Sequence, residues 1–178
     1  TNGKVILQTF SLQSLRRVCD KFKGEVPMCF LLWKGTGATD LTYDDPVGYA
    51  SFINLGVQYK AHFMGPCIAG APANNDPELN QPWQHDLIHR AKVKSHPYSF
   101  DTYDQMAKYF GLYNWGNNGG ARYQAPYVDA YFTNHTDMSL QFMKDHADEL
   151  NISDEMKATI KAKVAVPDAR ELLNDLGY

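Results

Sequence analysis

The chain has 178 residues, of which 44% are hydrophobic and 21% are charged, and this composition is typical of a globular domain with a core. Its formal net charge is −3 and it has no lysine- or arginine-rich run. That argues against nucleic-acid binding, because neutralising phosphates requires clustered cations. The longest apolar runs, such as residues 26–33, are too short to span a bilayer.

Strand-type and helix-type patterns alternate from the start of the chain. The run KVILQTF (residues 4–10) predicts a strand, and Ser11 is an N-cap candidate for a helix that ends at Gly24. The next run, VPMCFLLW (residues 26–33), predicts a second strand, and its continuous hydrophobicity suits a parallel strand buried on both faces. A strand, a helix and a strand within about 30 residues form a βαβ unit.

The same alternation continues to the end of the chain. We predict helices over residues 45–55, 83–92 and 102–110, extended segments over 57–66 and 93–98, and a last strand over 127–133. Residues 71–82 are predicted as a loop. Helix then dominates, with the capping signal SDEM at 153–156 and Pro167 suited to a first helical turn.

This order of elements predicts an α/β fold with a parallel sheet. About four βα units fit in the chain, whereas a closed eight-stranded barrel takes at least ~200 residues. We therefore expect about half of a barrel. The chain begins directly at a core strand without an initiator methionine, and we expect a further segment upstream.

The cysteines favour free thiols over a disulfide. Cys19, Cys29 and Cys67 are odd in number and show no CxxC spacing. Cys19 falls on the apolar face of a predicted helix and Cys29 inside a predicted strand, so we expect buried thiols.

Four stretches, in order along residues 4–143, resemble landmarks of the glycerophosphodiester phosphodiesterase family. The family's QSF strand and its helix are matched by VILQTFSLQSLRRV, and its GIGP segment by AHFMGPCIAGA. Its helix and HPYT strand end are matched by LIHRAKVKSHPYSF. Its closing DGxFTDxPD strand and helix are matched by GGARYQAPYVDAYFTNHTDMSLQFM. The match is most similar to the calcium-dependent periplasmic branch.

The resemblance implies the C-terminal half of a TIM barrel over residues 1–150, followed by a helical C-terminal extension over 151–178. The family hydrolyses glycerophosphodiesters to glycerol 3-phosphate and an alcohol, with a divalent cation (calcium or magnesium) and paired histidines as acid and base. Its HRG, ExD and HD motifs and a glutamate in an EIK-like strand belong to the first half, and none occurs here. His89–Arg90–Ala91, in a predicted helix, is no substitute for HRG.

The resemblance thus implies no catalytic residue and no metal ligand in this chain, which alone would be inactive. It implies a glycerophosphodiester substrate and a periplasmic or cell-surface location. The implied partner is the missing N-terminal half or a second half-barrel copy, either of which would cover exposed strand edges.

The resemblance also places a substrate-binding arc at the carboxyl ends of the strands, where barrel active sites are built. These residues would contact the glycerol or the leaving alcohol through aromatic packing and a few hydrogen bonds: Gln8, Phe10, Trp33, His96, Tyr98, Phe100 and Thr133. The closing motif departs from the family, because Asn134 replaces the usual Asp and Thr136 the usual Pro. Asparagine keeps an acceptor oxygen and loses the charge.

Three further patterns have a functional and a structural interpretation. His85 and His89 have a spacing that can place two ligands on one zinc ion, but without an obvious third ligand an exposed helix face is favoured. Acidic pairs that could bind calcium are favoured as turn and cap residues: Asp44–Asp45 and Asp76–Glu78. The stretch NWGNNGG (residues 114–120) lacks a phosphate-loop pattern and is either a lid or a surface turn.

Two other functions stay open. A non-catalytic half-barrel module could recognise a polar headgroup or sugar, and Asn134 motivates it. A flavodoxin-like open sheet would bind its ligand at a switch point, but TFSLQS after the first strand contains no glycine.

Overall fold

The computed structural model describes residues 5–33, 44–69, 77–112, 126–150 and 152–163. The chain falls into two compact units. The first comprises residues 1–101 and 126–134, and the second comprises residues 102–125 and 135–178. The predicted boundary at residue 150 stays a prediction.

The first unit is built on a four-stranded parallel sheet. Its strands are β1 (Leu7–Thr9), β2 (Met28–Leu32), β3 (Phe63–Pro66) and β4 (Lys94–Ser95), in the spatial order β1-β2-β3-β4. The helices α1 (Leu12–Phe22), α2 (Pro46–Gln58) and α3 (Pro82–Arg90) follow the first three strands in turn. The predicted α/β fold with a parallel sheet is confirmed. The flavodoxin-like alternative needs a reversal of strand order, and the described strands have none.

The helices begin where the sequence places capping groups. The Ser11 side chain accepts a hydrogen bond from the Ser14 N–H at 3.3 Å, and α1 ends at Lys23 in the left-handed conformation. Asp45 Oδ1 accepts hydrogen bonds from the N–H groups of Val47 and Gly48, both at 2.9 Å. Asp45 is therefore a cap, as favoured, whereas Asp76 of the other acidic pair lies outside the described residues.

The core lies between the sheet and these helices. Alternate residues of β2 face the helices, and Phe30 packs on Phe52 of α2 with ring centroids 5.1 Å apart. The opposite face carries the intervening residues, because side chains alternate along a strand. Cys29 and Cys67 are buried thiols outside any disulfide, as expected, whereas Cys19 is only half-buried.

Two predicted strands differ from the structure. Residues 57 and 58 extend α2 instead of starting a strand, and Val57 is on its exposed side. Residues 127–133 contain no regular strand. Ala130 and Phe132 donate hydrogen bonds to the carbonyls of Ser95 and Pro97, as a fifth parallel strand would. The return bond would come from the residue 97 N–H, which proline lacks, so the ladder is incomplete.

The second unit contains three described helices: α4 (Tyr103–Tyr109), α5 (Thr136–Asp145) and α6 (Asp154–Lys163). Fully buried Phe142 is its centre, with ring contacts to Tyr103 and Phe110 at 5.4 and 6.0 Å. The Ser153 hydroxyl accepts from the Met156 N–H, which confirms the SDEM capping signal. Pro167 and residues 114–120 lie outside the described residues. Among the described helices, none has the length and apolar character that crossing a membrane requires.

Candidate functional site

The carboxyl edge of the sheet carries an aromatic cluster. Phe10 follows β1, and its ring lies 5.6 Å from the ring of Tyr98 in an edge-to-face arrangement. The Tyr98 hydroxyl donates a hydrogen bond of 2.9 Å to the carbonyl of Leu32, the last residue of β2. The Tyr98 backbone also forms a parallel bridge with Cys67, directly after β3. One residue, which itself follows β4, thus links the ends of all four strands.

The side chains of this edge remain accessible in part. Phe10 is 38% exposed and Trp33, directly after β2, is 39% exposed. Tyr98 and Thr133 are half-buried and Gln8 is exposed on β1, the edge strand. Large apolar side chains that stay in contact with water at the ends of the strands can pack against a ligand.

His96 lies on the sheet face opposite the helices, because Ser95 before it pairs with Met64, whose side chain packs in the core under the helices. Its ring packs between Phe63 and Phe132, with centroids 5.5 and 4.1 Å away. The residue is 6% exposed, and its Nδ1 atom has no hydrogen-bond partner within the described segments. Burial lowers the pKa of His96, which favours the neutral ring. A neutral ring with an unpaired nitrogen can donate to or accept from a ligand.

Phe100 is placed differently from the other predicted residues. It is completely buried, its ring packs 4.7 Å from that of Tyr131, and its N–H donates to the Phe132 carbonyl at 2.8 Å. These contacts make Phe100 part of the packed interior, so its side chain does not line the accessible surface at the carboxyl edge.

Asn134 has a structural partner. Its backbone N–H and its side-chain Nδ2 donate hydrogen bonds to the two carboxylate oxygens of Asp101, at 2.8 and 3.0 Å. An aspartate at position 134 could not donate the second bond and would place a second negative charge there. Asparagine at position 134 therefore fits the Asp101 carboxylate better than aspartate would.

A second cluster lies on the helix-covered side of the sheet. His85 and His89 of α3 have ring centroids 4.0 Å apart, and His89 Nε2 is 2.7 Å from Oδ2 of Asp129. Potential ligand atoms of the three residues all lie within 4.8 Å of one another. His85 is only 6% exposed, so the expected solvent-exposed helix face is wrong for this residue.

The third group, Asp129, was missed in the sequence. The only signal for it in the sequence was a single acidic residue within the apolar stretch YVDAYFT. This stretch hydrogen-bonds to residues of β4, which brings Asp129 next to α3, the helix that precedes β4. Burial, followed by the neighbouring His89, lowers the pKa of His85 to about 4, while Asp129 and Asp86 act in the opposite direction. His85 is therefore neutral near pH 7.

Two comparisons with known proteins found no match. No protein-family model matches the chain, and no curated protein matches it. The resemblance to the phosphodiesterase family rests on the four quoted stretches alone.

Proposed function

We propose that this chain is the C-terminal half of a phosphodiesterase-like (β/α) barrel and forms the substrate-pocket wall for hydrolysis of glycerophosphodiesters. The observation that carries the proposal is the aromatic cluster at the carboxyl edge, where Phe10, Leu32 and Tyr98 connect the ends of separate strands. Active sites of parallel barrels are built at this edge. Strands that run in chain order, each of the first three followed by a helix, are consistent with half of a barrel.

The proposed wall suits the uncharged parts of the substrate. Phe10, Trp33 and Tyr98 offer aromatic surface for the carbon atoms of glycerol or of the leaving alcohol. The substrate's hydroxyl groups need hydrogen-bond partners, and the unpaired Nδ1 of His96 and the side chain of Gln8 are the groups proposed for this role. Residues outside the 178 would supply the acid–base histidines and the ligands of a calcium or magnesium ion, which offsets phosphate charge.

The association partner follows from the same proposal. Either a segment with the N-terminal half or a second copy of the chain would complete the barrel and cover the strand edges. The periplasm or the cell surface is the proposed location, by resemblance to the family. The non-catalytic module is not favoured, because the Asn134 departure that motivated it has a structural partner in Asp101.

The test combines turnover with mapping of the binding site. The pure, tag-free chain of verified mass is given glycerophosphocholine with calcium, with magnesium and with EDTA, and we expect no hydrolysis. NMR spectra recorded during the same titration should show shifts for Phe10, Trp33 and Tyr98. Lys94 and His62, at the amino ends of the strands, are the matched controls and should not shift.

Two results would contradict the proposal. Metal-dependent turnover by the chain alone would show a complete catalytic site within these residues. NMR shifts confined to residues at the amino ends of the strands, or no shifts at millimolar ligand, would show that the substrate does not bind at the carboxyl edge. A Tyr98→Leu variant that retains the circular dichroism spectrum of the parent should lose the shifts at Phe10 and Trp33.

A further inference from the structure

We propose that His85, His89 and Asp129 form a binding site for a divalent transition metal of the zinc type. The site is independent of the proposed pocket, because both histidines belong to α3 on the helix-covered face, whereas the His96 ring lies on the other face of the sheet. In the described ranges, this is the one group of three such residues close enough to share an ion.

The spacing of the three groups suits a single ion. Residues four apart on a helix lie on the same side, and the rings of His85 and His89 are 4.0 Å apart. Zinc–ligand bonds of roughly 2.0–2.1 Å place tetrahedral ligand atoms about 3.3 Å from each other. The candidate atoms lie within 4.8 Å of one another, so they would have to approach by at most about 1.5 Å to share one ion.

In the metal-free chain His89 and Asp129 pair with each other. His89 Nε2 and Asp129 Oδ2 are 2.7 Å apart, a hydrogen-bond distance. Metal binding would break this hydrogen bond and leave His89 Nε2 free to bind the ion, while the neutral ring carries its proton on Nδ1. Protons compete with the metal for the ligating ring nitrogens, so affinity should rise with pH.

His85 provides the independent indication of a ligand. It is 6% exposed, and its Nδ1 has no hydrogen-bond partner in the residues that the structure describes. Buried polar atoms of native proteins are nearly always paired, so an unpaired one indicates an absent ion, water or ligand.

Asp129 is held in place by a second layer of hydrogen bonds. Its Oδ2 accepts from the Ser95 N–H at 2.7 Å, and the Ser95 hydroxyl donates to Asn80 Oδ1 at 3.0 Å. Asn80 Nδ2 in turn donates to the Tyr127 carbonyl at 3.0 Å. Such outer contacts orient the ligands of metal sites. Both His89 and the Ser95 N–H bond to Oδ2 of the carboxylate, so Oδ1 can serve as the ligand atom.

The donor set selects the metal. Two imidazoles and one carboxylate suit zinc and similar ions, whereas calcium and magnesium prefer sites built from oxygen. The side chains of His89 and Asp129 are 46% and 25% exposed, so water can reach the fourth position. The bound ion would join α3 to residues 126–134 and hold that segment beside β4.

The test is a metal titration of the tag-free, EDTA-treated and desalted chain. Cobalt serves as the visible probe, since tetrahedral cobalt absorbs strongly, and zinc should displace it. We expect one equivalent of cobalt to bind, tighter at pH 8 than at pH 6, and neither calcium nor magnesium to compete. Zinc should also raise the melting temperature of the parent chain.

Two variants test the ligands. His89→Gln removes a side chain that is nearly half exposed, and Asp129→Asn keeps an oxygen for the Ser95 N–H, so both should fold. Each should weaken binding at least about tenfold. The matched control is His146→Gln, because His146 also pairs with a carboxylate, Glu149, at 2.9 Å, yet no third ligand completes a group there among the described residues.

Three outcomes would overturn the proposal. The parent chain binds no stoichiometric cobalt or zinc; both ligand variants, folded by circular dichroism, bind as the parent does; or His146→Gln weakens binding as much as His89→Gln.

Discussion

The ring of Phe10 contacts the ring of Tyr98, with centroids 5.6 Å apart, although the two residues follow the outermost strands of the sheet. In a flat sheet β1 and β4 would be three strand spacings, about 14 Å, apart. Tyr98 bridges this span by lying across the carboxyl edge, where its hydroxyl reaches the Leu32 carbonyl. The Tyr98 side chain thereby connects the end of β4 with the ends of β1 and β2, which are not its neighbours in the sheet.

Replacing Tyr98 by Phe should lower the free energy of unfolding by about 1 kcal/mol, because one hydrogen bond is lost. The cost stays small because the Leu32 carbonyl also accepts from the Cys67 N–H at 3.0 Å. Tyr98→Leu should cost roughly 1 kcal/mol more, through loss of the edge-to-face contact with Phe10. Urea unfolding of the three proteins measures both steps, and equal stability of all three would exclude a role for the contact.

The Asn134–Asp101 pair can be tested by exchanging its members. Asn134→Asp should destabilise the chain by roughly 1–2 kcal/mol, because a hydrogen bond is lost and two carboxylates face each other. Adding Asp101→Asn should restore most of that loss. The amide introduced at position 101 would accept from the residue 134 N–H and donate to the carboxylate introduced at position 134. A double-mutant cycle by chemical denaturation gives the coupling, and additive losses would show that the two side chains act separately.

Gly65 and Gly56 form a matched pair of small-to-larger substitutions. A Cβ on Gly65 would lie 2.8 Å from Cys29 Sγ and 3.0 Å from the backbone oxygen of His96, which cannot rotate away. Gly65→Ala should therefore cost about 2 kcal/mol or more. A Cβ on Gly56 would meet only the flexible end of Met64 and Ala61, and the gain in helix propensity of about 1 kcal/mol offsets the crowding. Thermal unfolding of both variants measures the two losses of stability. A smaller loss for Gly65→Ala than for Gly56→Ala would contradict this reasoning.

The strands and helices that the sequence predicted correctly are those with a local signal, such as a capping residue or a continuous apolar run. The Ser11 and Asp45 caps and continuously apolar β2 are local features, so no tertiary information was needed. The failures depend on neighbours in space. An apolar stretch over 127–133 indicates a strand, but whether its ladder is complete depends on Pro97 in the adjoining segment.

For the two candidate sites as well, the local features could be predicted from the sequence and the contacts between distant residues could not. The residues of the carboxyl edge could be named from the resemblance, because strand ends are readable in a sequence. The resemblance did not foretell that Phe100 is fully buried, since that depends on its packing against Tyr131. The histidine pair was visible from its spacing, whereas Asp129 is 40 residues away from His89 and joins it only through pairing of residues 129–132 beside β4.

The final prediction concerns the stability of the metal-free chain as the pH falls. Burial lowers the pKa of His85 from 6.5 to about 4 in the folded state. Between these values the unfolded chain binds a proton that the folded chain excludes, so stability is fully present above about pH 6.5 and is lost progressively toward pH 4. His89 adds to the repulsion of the charged ring, while Asp129 and Asp86 oppose it.

The measurement is urea unfolding in EDTA at several pH values for the parent and for His85→Gln. The parent should lose roughly 1–3 kcal/mol more than the variant on going from pH 7 to pH 4, less than full linkage because water near His89 screens the site. His146→Gln is the control and should keep the parent's steeper loss. Parallel curves for the parent and His85→Gln would mean that the His85 ring is protonated as easily in the folded chain as in the unfolded one.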